Sequence, residues 1–348
     1  MLFSVKSKAF FIDYSEHAIL VARTSSATAP MVVEDIRECA PDDEAALAEI
    51  LKSLQIKKSQ SGYLHATCGV YTNKRVVRKV TLEPKRVKES GYLNEVAQQQ
   101  VRIEPEQYTL AVLNASDGAE YDTSKATVKE AVFCGMPSEQ INKTQDRLLS
   151  AGVYSERIEI GTASTVGALV DYLAFAKIKT PTLMLEIDAD TAHSFIVSAA
   201  GMETSRQIPH GLDSIVPVVQ KELGLKDEES ARKLFFSNTF DFTGMGPVLI
   251  KKLVKELQSS IGFYEVQTGQ SIGQVICTLL PPKLGWLESA IAGQLGVSVL
   301  KVDLPAWLQS RQITLSDSLP AHAQDVRRLG LFSLMVQYSS HVAAPEKK

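Results

Sequence analysis

The sequence predicts a mixed α/β chain of two domains, and three observations predict it. The chain has 348 residues, enough to bury two separate cores. Short apolar strand-like runs alternate with helical stretches along its whole length, the order that an α/β or α+β architecture leaves. One pattern, apolar strand then acidic turn then apolar strand, occurs near residue 13 and again near residue 188, as an internal duplication would leave it.

Residues 9–12 and 18–22 are apolar runs joined by the polar stretch 13–17, which reads as a β-hairpin. A helix is predicted over 42–54. Asp42, Asp43 and Glu44 suit the positive end of its dipole, and Leu47, Ile50, Leu51 and Leu54 share one face. Strands follow at 66–71 and 76–82, then a helical stretch at 90–102, a strand at 108–113, a polar turn at 114–125 and a strand at 127–133. A helix over 138–150 runs into Gly152, well placed to end it. Residues 162–177 read as helix and 177–181 as a linker, after which the hairpin pattern restarts at 183–187 and 193–197 and continues to a strand at 203–208. Helices are predicted at 213–223, at 227–234 behind an acidic start, and at 247–261, where Pro247 suits the first turn and Ile250, Leu253, Val254, Leu257 and Ile261 form a stripe. A strand at 275–280, a helix at 284–295 and a last helix near 326–336 complete the chain.

Composition excludes several function classes. A formal net charge of −3 gives a nucleic-acid partner no global electrostatic footprint. Lys74, Arg75, Arg78, Lys79, Lys85, Arg86 and Lys88 interleave with apolar residues and read as the solvated face of a strand and loop. Four cysteines without a CxxC pair point to neither a zinc set nor a disulfide framework, and suit a reducing compartment. No apolar run reaches the roughly 18 residues that span a bilayer, and Asp13 falls too early for a signal peptide. A cytoplasmic chain is expected, meeting the membrane only through partners. Neither GxSxG nor GxxxxGK[ST] occurs. The six histidines show no metal-type pairing, although His17 and His193 take corresponding positions in the two hairpins.

Five landmarks recur in one order over nearly the whole chain: Phe11-Ile12-Asp13-Tyr14-Ser15; Leu185-Glu186-Ile187-Asp188-Ala189-Asp190-Thr191; Arg206-Gln207-Ile208-Pro209-His210-Gly211-Leu212-Asp213; Leu257-Gln258-Ser259-Ser260-Ile261-Gly262-Phe263-Tyr264 with Gln267 and Gly269; and Val275-Ile276-Cys277-Thr278 through Leu287. Their order resembles that of the actin-like ATPase superfamily, and within it the PilM-type pilus assembly proteins and the related division protein FtsA. The resemblance implies an α/β, actin-like (ribonuclease H-like) two-domain fold with a small inserted subdomain. The implied domains are 1–177, with the insertion at about 83–154, and 178–320, with a helical subdomain at about 216–271. A C-terminal helix at 321–340 would pack back on the first domain, ahead of a polar tail at 341–348.

The resemblance also assigns a nucleotide site, whose expected contacts here are Asp13, Ser15, Glu186, Asp188, Thr191, Gly211 and Thr278, with Asp13 and Glu186 as the residues for a hydrated magnesium ion. No catalytic residue is assigned. The chain departs from the family at the places that need open backbone. Phosphate hairpins use glycine so that amides can approach the phosphates, yet the glycine positions here read Ser15 and Asp188, and a frequently basic position reads Leu20. A carboxylate at close range to a phosphate charge costs on the order of 4 kcal/mol at an effective dielectric of about 20. The glycine triplet under the adenosine reads Leu279-Leu280-Pro281, and Leu212 replaces the second glycine of the strand-to-helix turn. The expectation is a degenerate pocket with no cofactor, against the alternative of bound ATP and magnesium.

By the same resemblance the expected function is that of a cytoplasmic scaffold in a type IV pilus or related secretion or uptake machine, peripheral at the inner membrane. Its partners would be the short N-terminal tail of a PilN-like bitopic membrane protein and other platform proteins, with no nucleic acid. The tail would lie in a groove between the first subdomain and the insertion, with the strand at 76–82 and its basic residues as candidate lining. The alternatives are an active ATPase whose nucleotide state gates assembly, and the actin-like component of a type II secretion platform.

Overall fold

The structure is a computed structural model that describes residues 8–54, 62–116, 118–125, 129–237, 239–320 and 324–340. The chain divides into two compact units, one of Met1–Leu169 with Val302–Lys348 and one of Val170–Lys301. In chain order the first unit holds β1 (Ala9–Tyr14), β2 (Ile19–Thr24), β3 (Met31–Cys39), α1 (Glu44–Leu54), β4 (Leu64–Val70), β5 (Val76–Thr81), α2 (Tyr92–Val96), β6 (Tyr108–Asn114), β7 (Glu130–Pro137), α3 (Ser138–Ser150), β8 (Val153–Ile160) and the start of α4 (Gly161–Phe175). The second holds β9 (Thr182–Ile187), β10 (Ala192–Ser198), β11 (Gly201–Ile208), α5 (Val216–Leu223), α6 (Glu228–Phe235), α7 (Gly246–Leu249), α8 (Lys251–Thr268), β12 (Gln274–Cys277), α9 (Trp286–Leu295) and β13 (Ser298–Val299). The chain then returns to the first unit as α10 (Leu304–Ser310), β14 (Ile313–Leu315) and α11 (Leu329–Ser340).

Each unit is built on a sheet of the same order. The first runs β14-β3-β2-β1-β4-β8 and the second β11-β10-β9-β12-β13. In both, the first strand pairs antiparallel with the second and parallel with the fourth: Asp13 opposes Leu20 and Gly69, and Leu185 opposes Ser194 and Cys277. The repeat read in the sequence is therefore a repeat of topology. β14 extends the first sheet beside β3, which places the return at Val302 rather than at 320.

β1 sits between two strands and is apolar on both faces, as a central strand requires. Its side chains alternate. Ile12 joins Val21, Ala66, Leu47, Leu51 and Leu148 in the cluster under α1 and α3, while Phe11 and Asp13 point the other way. Leu331, Phe332, Leu334 and Met335 of α11 are buried, with α11 packed on β1 and β4. The insertion, expected at about 83–154, shares a three-stranded antiparallel sheet with the strand before it, β5-β7-β6, over a cluster of Val80, Leu82, Tyr92, Val96 and Phe133. In the second unit Leu183, Leu185 and Val275 of the sheet pack with Val216, Phe235, Leu257, Leu287 and Ile291 of the helices, each fully buried side chain stabilising by about 2 kcal/mol.

Local signals explain the helix ends. Asp43 accepts from the Ala46 amide at 2.9 Å and Asp227 from the Ser230 amide at 2.8 Å, so both acidic starts are caps. Gly152 turns with φ +88° behind α3. Several expectations need correction. The helix predicted at 247–261 is interrupted at Ile250 and runs on to Thr268; the strand predicted at 275–280 stops at Cys277; the strand predicted at 127–133 is β7, with residues 127–128 and the tail 341–348 outside the described residues. Arg75, expected on a solvated face, is buried, with its Nε donating to Thr162 Oγ1 at 2.7 Å and its guanidinium 5.6 Å from the Tyr71 ring centre. Among the described residues no helix is long and apolar enough to cross a membrane.

Candidate functional site

The residues singled out in the sequence fall into one group in each unit. In the first unit they lie at the β1–β2 turn. Asp13, the last buried residue of β1, is 4% exposed. A Cβ added at Gly330, the second residue of α11, would lie 2.9 Å from Asp13 Oδ2 and 2.3 Å from Tyr71 Oη. The Asp13 carboxylate thus lies close to the backbone of α11 at Gly330, and the missing side chain there is what lets the two approach. Tyr71 extends the arrangement, its hydroxyl 3.2 Å from Thr165 Oγ1 on α4.

Ser15 closes the turn itself. Its amide donates to the Ala18 carbonyl at 3.0 Å. Its Oγ accepts from the amides of His17 and Ala18 at 3.3 and 3.2 Å and donates to the Ala18 carbonyl at 3.1 Å. The hydroxyl therefore occupies two amides that a glycine turn would leave open.

In the second unit Glu186 is fully buried in the central strand β9, directly opposite His193 of β10. Asp188 follows at the turn, 3% exposed, with its Oδ2 3.5 Å from His193 Nε2. The turn closes through the Asp188 amide on the Thr191 carbonyl at 2.8 Å, leaving Thr191 half-buried at its end. Its carbonyls are then tied to the segment after β11: Leu212 donates to Asp188, Asp213 to Ala189 and Gly211 to Asp190, at 2.9, 2.9 and 3.1 Å. A Cβ at Gly211 would lie 2.3–2.5 Å from backbone atoms of Ala189, Asp188 and Thr191, so this residue must be glycine. Asp213 also takes Arg232 of α6 at 2.7 Å, which fixes the helix that follows.

Thr278 ends the group. Its amide donates to the Leu185 carbonyl at 3.0 Å, and its buried Oγ1 has no hydrogen-bond partner among the described residues. Leu279 and Leu280 beyond it are buried, and Leu280 and Leu284 belong to the unit's apolar cluster. Glu288 of α9 accepts the Cys277 amide at 2.7 Å; burial, and then this carboxylate, push the Cys277 thiol well above its ordinary range. Sequence reasoning missed Glu288, Tyr71 and Gly330. Only Gly330 left a signal, a glycine inside an otherwise apolar helix.

No protein-family model and no curated protein sequence matches this chain. Among solved structures it superposes on a chain of a PilM–PilN type IV pilus biogenesis complex, over 96% of this chain and 99% of that one, with a TM-score of 0.68 and 15% identity. The fold is actin-like, of the PilM kind. More distant likenesses, both with TM-scores below 0.5, are the cytoplasmic domain of EpsL, an inner membrane component of the type II secretion system of Vibrio cholerae (11% identity, 95% and 94% covered, TM-score 0.43), and the ethanolamine utilization protein EutJ of Carboxydothermus hydrogenoformans (10% identity, 94% and 90% covered, TM-score 0.44). What this PilM-like chain shares at 15% identity is the path of the backbone.

Proposed function

We propose that this chain is an actin-like scaffold of a type IV pilus or related secretion machine, and that it holds the short cytoplasmic tail of an inner-membrane partner of the PilN kind. Support for the partner comes from the likeness over almost the whole length to a chain from a PilM–PilN complex. Within the first unit, β5 is an edge strand of the insertion sheet, so its outer backbone groups can pair with an extended peptide. The free edge of β6 is shorter, because residue 120 bridges back to Leu113.

The observation that carries a scaffold over an ATPase is the Ser15 turn, whose hydroxyl takes the amides of His17 and Ala18. Three further features point the same way. Asp13 is buried close against Gly330 of α11. Asp188 stands where the resemblance expects a glycine against phosphate, and its Oδ2 lies 3.5 Å from His193 Nε2. Leu279, Leu280 and Pro281 stand where the resemblance expects the bare backbone of a glycine triplet. On this reading Ser15, Asp188 and Leu279–Pro281 disfavour a magnesium nucleotide, and no catalytic step is derived through one.

Two measurements test the proposal. Calorimetric titration with ATP and magnesium is expected to give no binding tighter than about 10 μM, an affinity equivalent to roughly 7 kcal/mol; tighter binding removes the scaffold reading of the pocket. Titration with synthetic N-terminal tails of the bitopic membrane proteins encoded with this chain is expected to give one binder, and failure of every tail removes the adaptor.

A further inference from the structure

Helix α8 buries Leu253, Val254, Leu257 and Tyr264 in the second unit. At 100° per residue, Lys252, Lys255, Ser259, Gly262, Phe263 and Val266 then share the opposite side. Two large apolar side chains stand side by side on this solvated face, Phe263 at 66% exposed and Val266 at 88%. Gly262 lies beside them with nothing within 4 Å of where its Cβ would be. Glycine inside a helix costs about 1 kcal/mol against alanine, and nothing in its own unit packs into the space that this glycine opens. Lys252 and Lys255 are exposed and have no acidic partner among the described residues; the neighbouring Glu256 is held by Arg206 at 2.6 Å.

We propose that this stripe is a docking surface for an acidic amphipathic helix of another protein. The partner's backbone crosses α8 at Ser259 and Gly262, where the missing side chain permits close approach. Its apolar face covers Phe263 and Val266, and its carboxylates lie further along, level with Lys252 and Lys255. From Lys252 to Val266 is about 21 Å along the axis, so the partner needs about four turns. A second copy of this chain is the wrong occupant. A symmetric antiparallel crossing at Gly262 sets Lys255 against Gly269 and leaves all four lysines without a carboxylate. A lipid surface accepts lysine beside phenylalanine but gives the gap at Gly262 no role. The surface lies on the second unit, whereas the proposed tail site lies on the first.

The test places a photoreactive phenylalanine analogue at position 263 of the full-length chain, in cells that make the protein, and sequences the cross-linked segment. The expected adduct is a helical segment of a different protein with acidic residues two to three turns from an apolar pair. Its yield should fall about tenfold in the double variant Lys252→Glu and Lys255→Glu, as loss of complementary charge pairs predicts, and in Gly262→Leu, with melting temperatures unchanged. The lysine variant lies wholly on the surface and keeps the test decisive if Gly262→Leu melts early. Adducts only with a second copy or with lipid, the absence of any adduct, or yields that neither variant lowers each overturn the proposal.

Discussion

The β1–β2 turn and the β9–β10 turn occupy the same place in sheets of the same order, yet they are held by different means. In the first unit a side chain does it: the Ser15 hydroxyl takes the turn's amides, and Asp13 behind it lies close against Gly330 of α11. In the second unit backbone does it: three carbonyls of the turn accept from the amides of residues 211–213. The first closure takes up amides, the groups that bind phosphate, whereas the second takes up carbonyls. The difference matters for how easily each can be undone. A side-chain closure is removed by one substitution at modest cost, whereas a backbone closure yields only if the segment moves.

The largest effect is therefore expected at Gly211. In Gly211→Ala the new methyl would meet backbone on three sides, and backbone cannot step aside as a side chain can. The expected loss is about 3 kcal/mol, in the range reserved for overpacking and strain. Gly244→Ala, with nothing within 4 Å of its Cβ, should stay within about 0.5 kcal/mol. Urea unfolding of both variants measures the contrast, and equal midpoints would show that the second turn is not rigidly tied.

Gly330→Ala comes next, at about 2 kcal/mol. Its closest clash is with the far end of a side chain, the Tyr71 hydroxyl. Tyr71→Phe in the same chain should therefore recover part of the loss, the remainder reflecting Asp13. No recovery would mean that α11 is seated by other contacts.

The hairpins, the caps at Asp43 and Asp227 and the glycine behind α3 were legible in the sequence because each rests on local chemistry. β3 was not. Its buried residues are Met31, Val33, Ile36 and Cys39, and a register shift against β2 between Arg23 and Thr24 breaks the period of two that marks a strand. β8 was missed because Ser155, Glu156, Arg157 and Glu159 make this edge strand read as polar. In the candidate site the positions of Asp13, Ser15, Asp188 and Gly211 were legible from the order of landmarks. Their partners were not, since Gly330 lies 317 residues after Asp13 and only folding brings it there. Arg75 was misread for the same reason: Thr162 and Tyr71, which bury it, are named by no pattern around it.

Ser15→Gly sharpens the comparison further. Losing the hydroxyl's bonds to two turn amides should cost about 1 kcal/mol. It also restores open backbone at one loop, yet ATP affinity should remain undetectable by calorimetry, because Asp188 and the Leu279–Pro281 segment are unchanged. A gain of ATP binding in this single variant would place the whole block on nucleotide at Ser15.

The smallest effect is a reporter of which unit opens first. Cys68 of β4 lies beside Ile12, and Cys277 of β12 lies beside Leu185, corresponding places in the two sheets. Burial pushes the Cys68 thiol up to about 12, eased slightly by Ser155, and pushes Cys277 up as well, with Glu288 adding to it. At pH 8 a thiol at about 12 is ionised in about one molecule in ten thousand, against roughly a quarter for a free cysteine. Alkylation of either in the native protein therefore waits for local opening. The folded thiols keep their proton where the unfolded chain loses it, so their contribution to stability holds at neutral pH and fades as pH rises from about 9 toward 12. In Gly211→Ala, iodoacetamide should label Cys277 well before Cys68, and in Gly330→Ala the order should reverse. Equal rates in both variants would mean that the two turns open together, and that their different closures do not set separate stabilities.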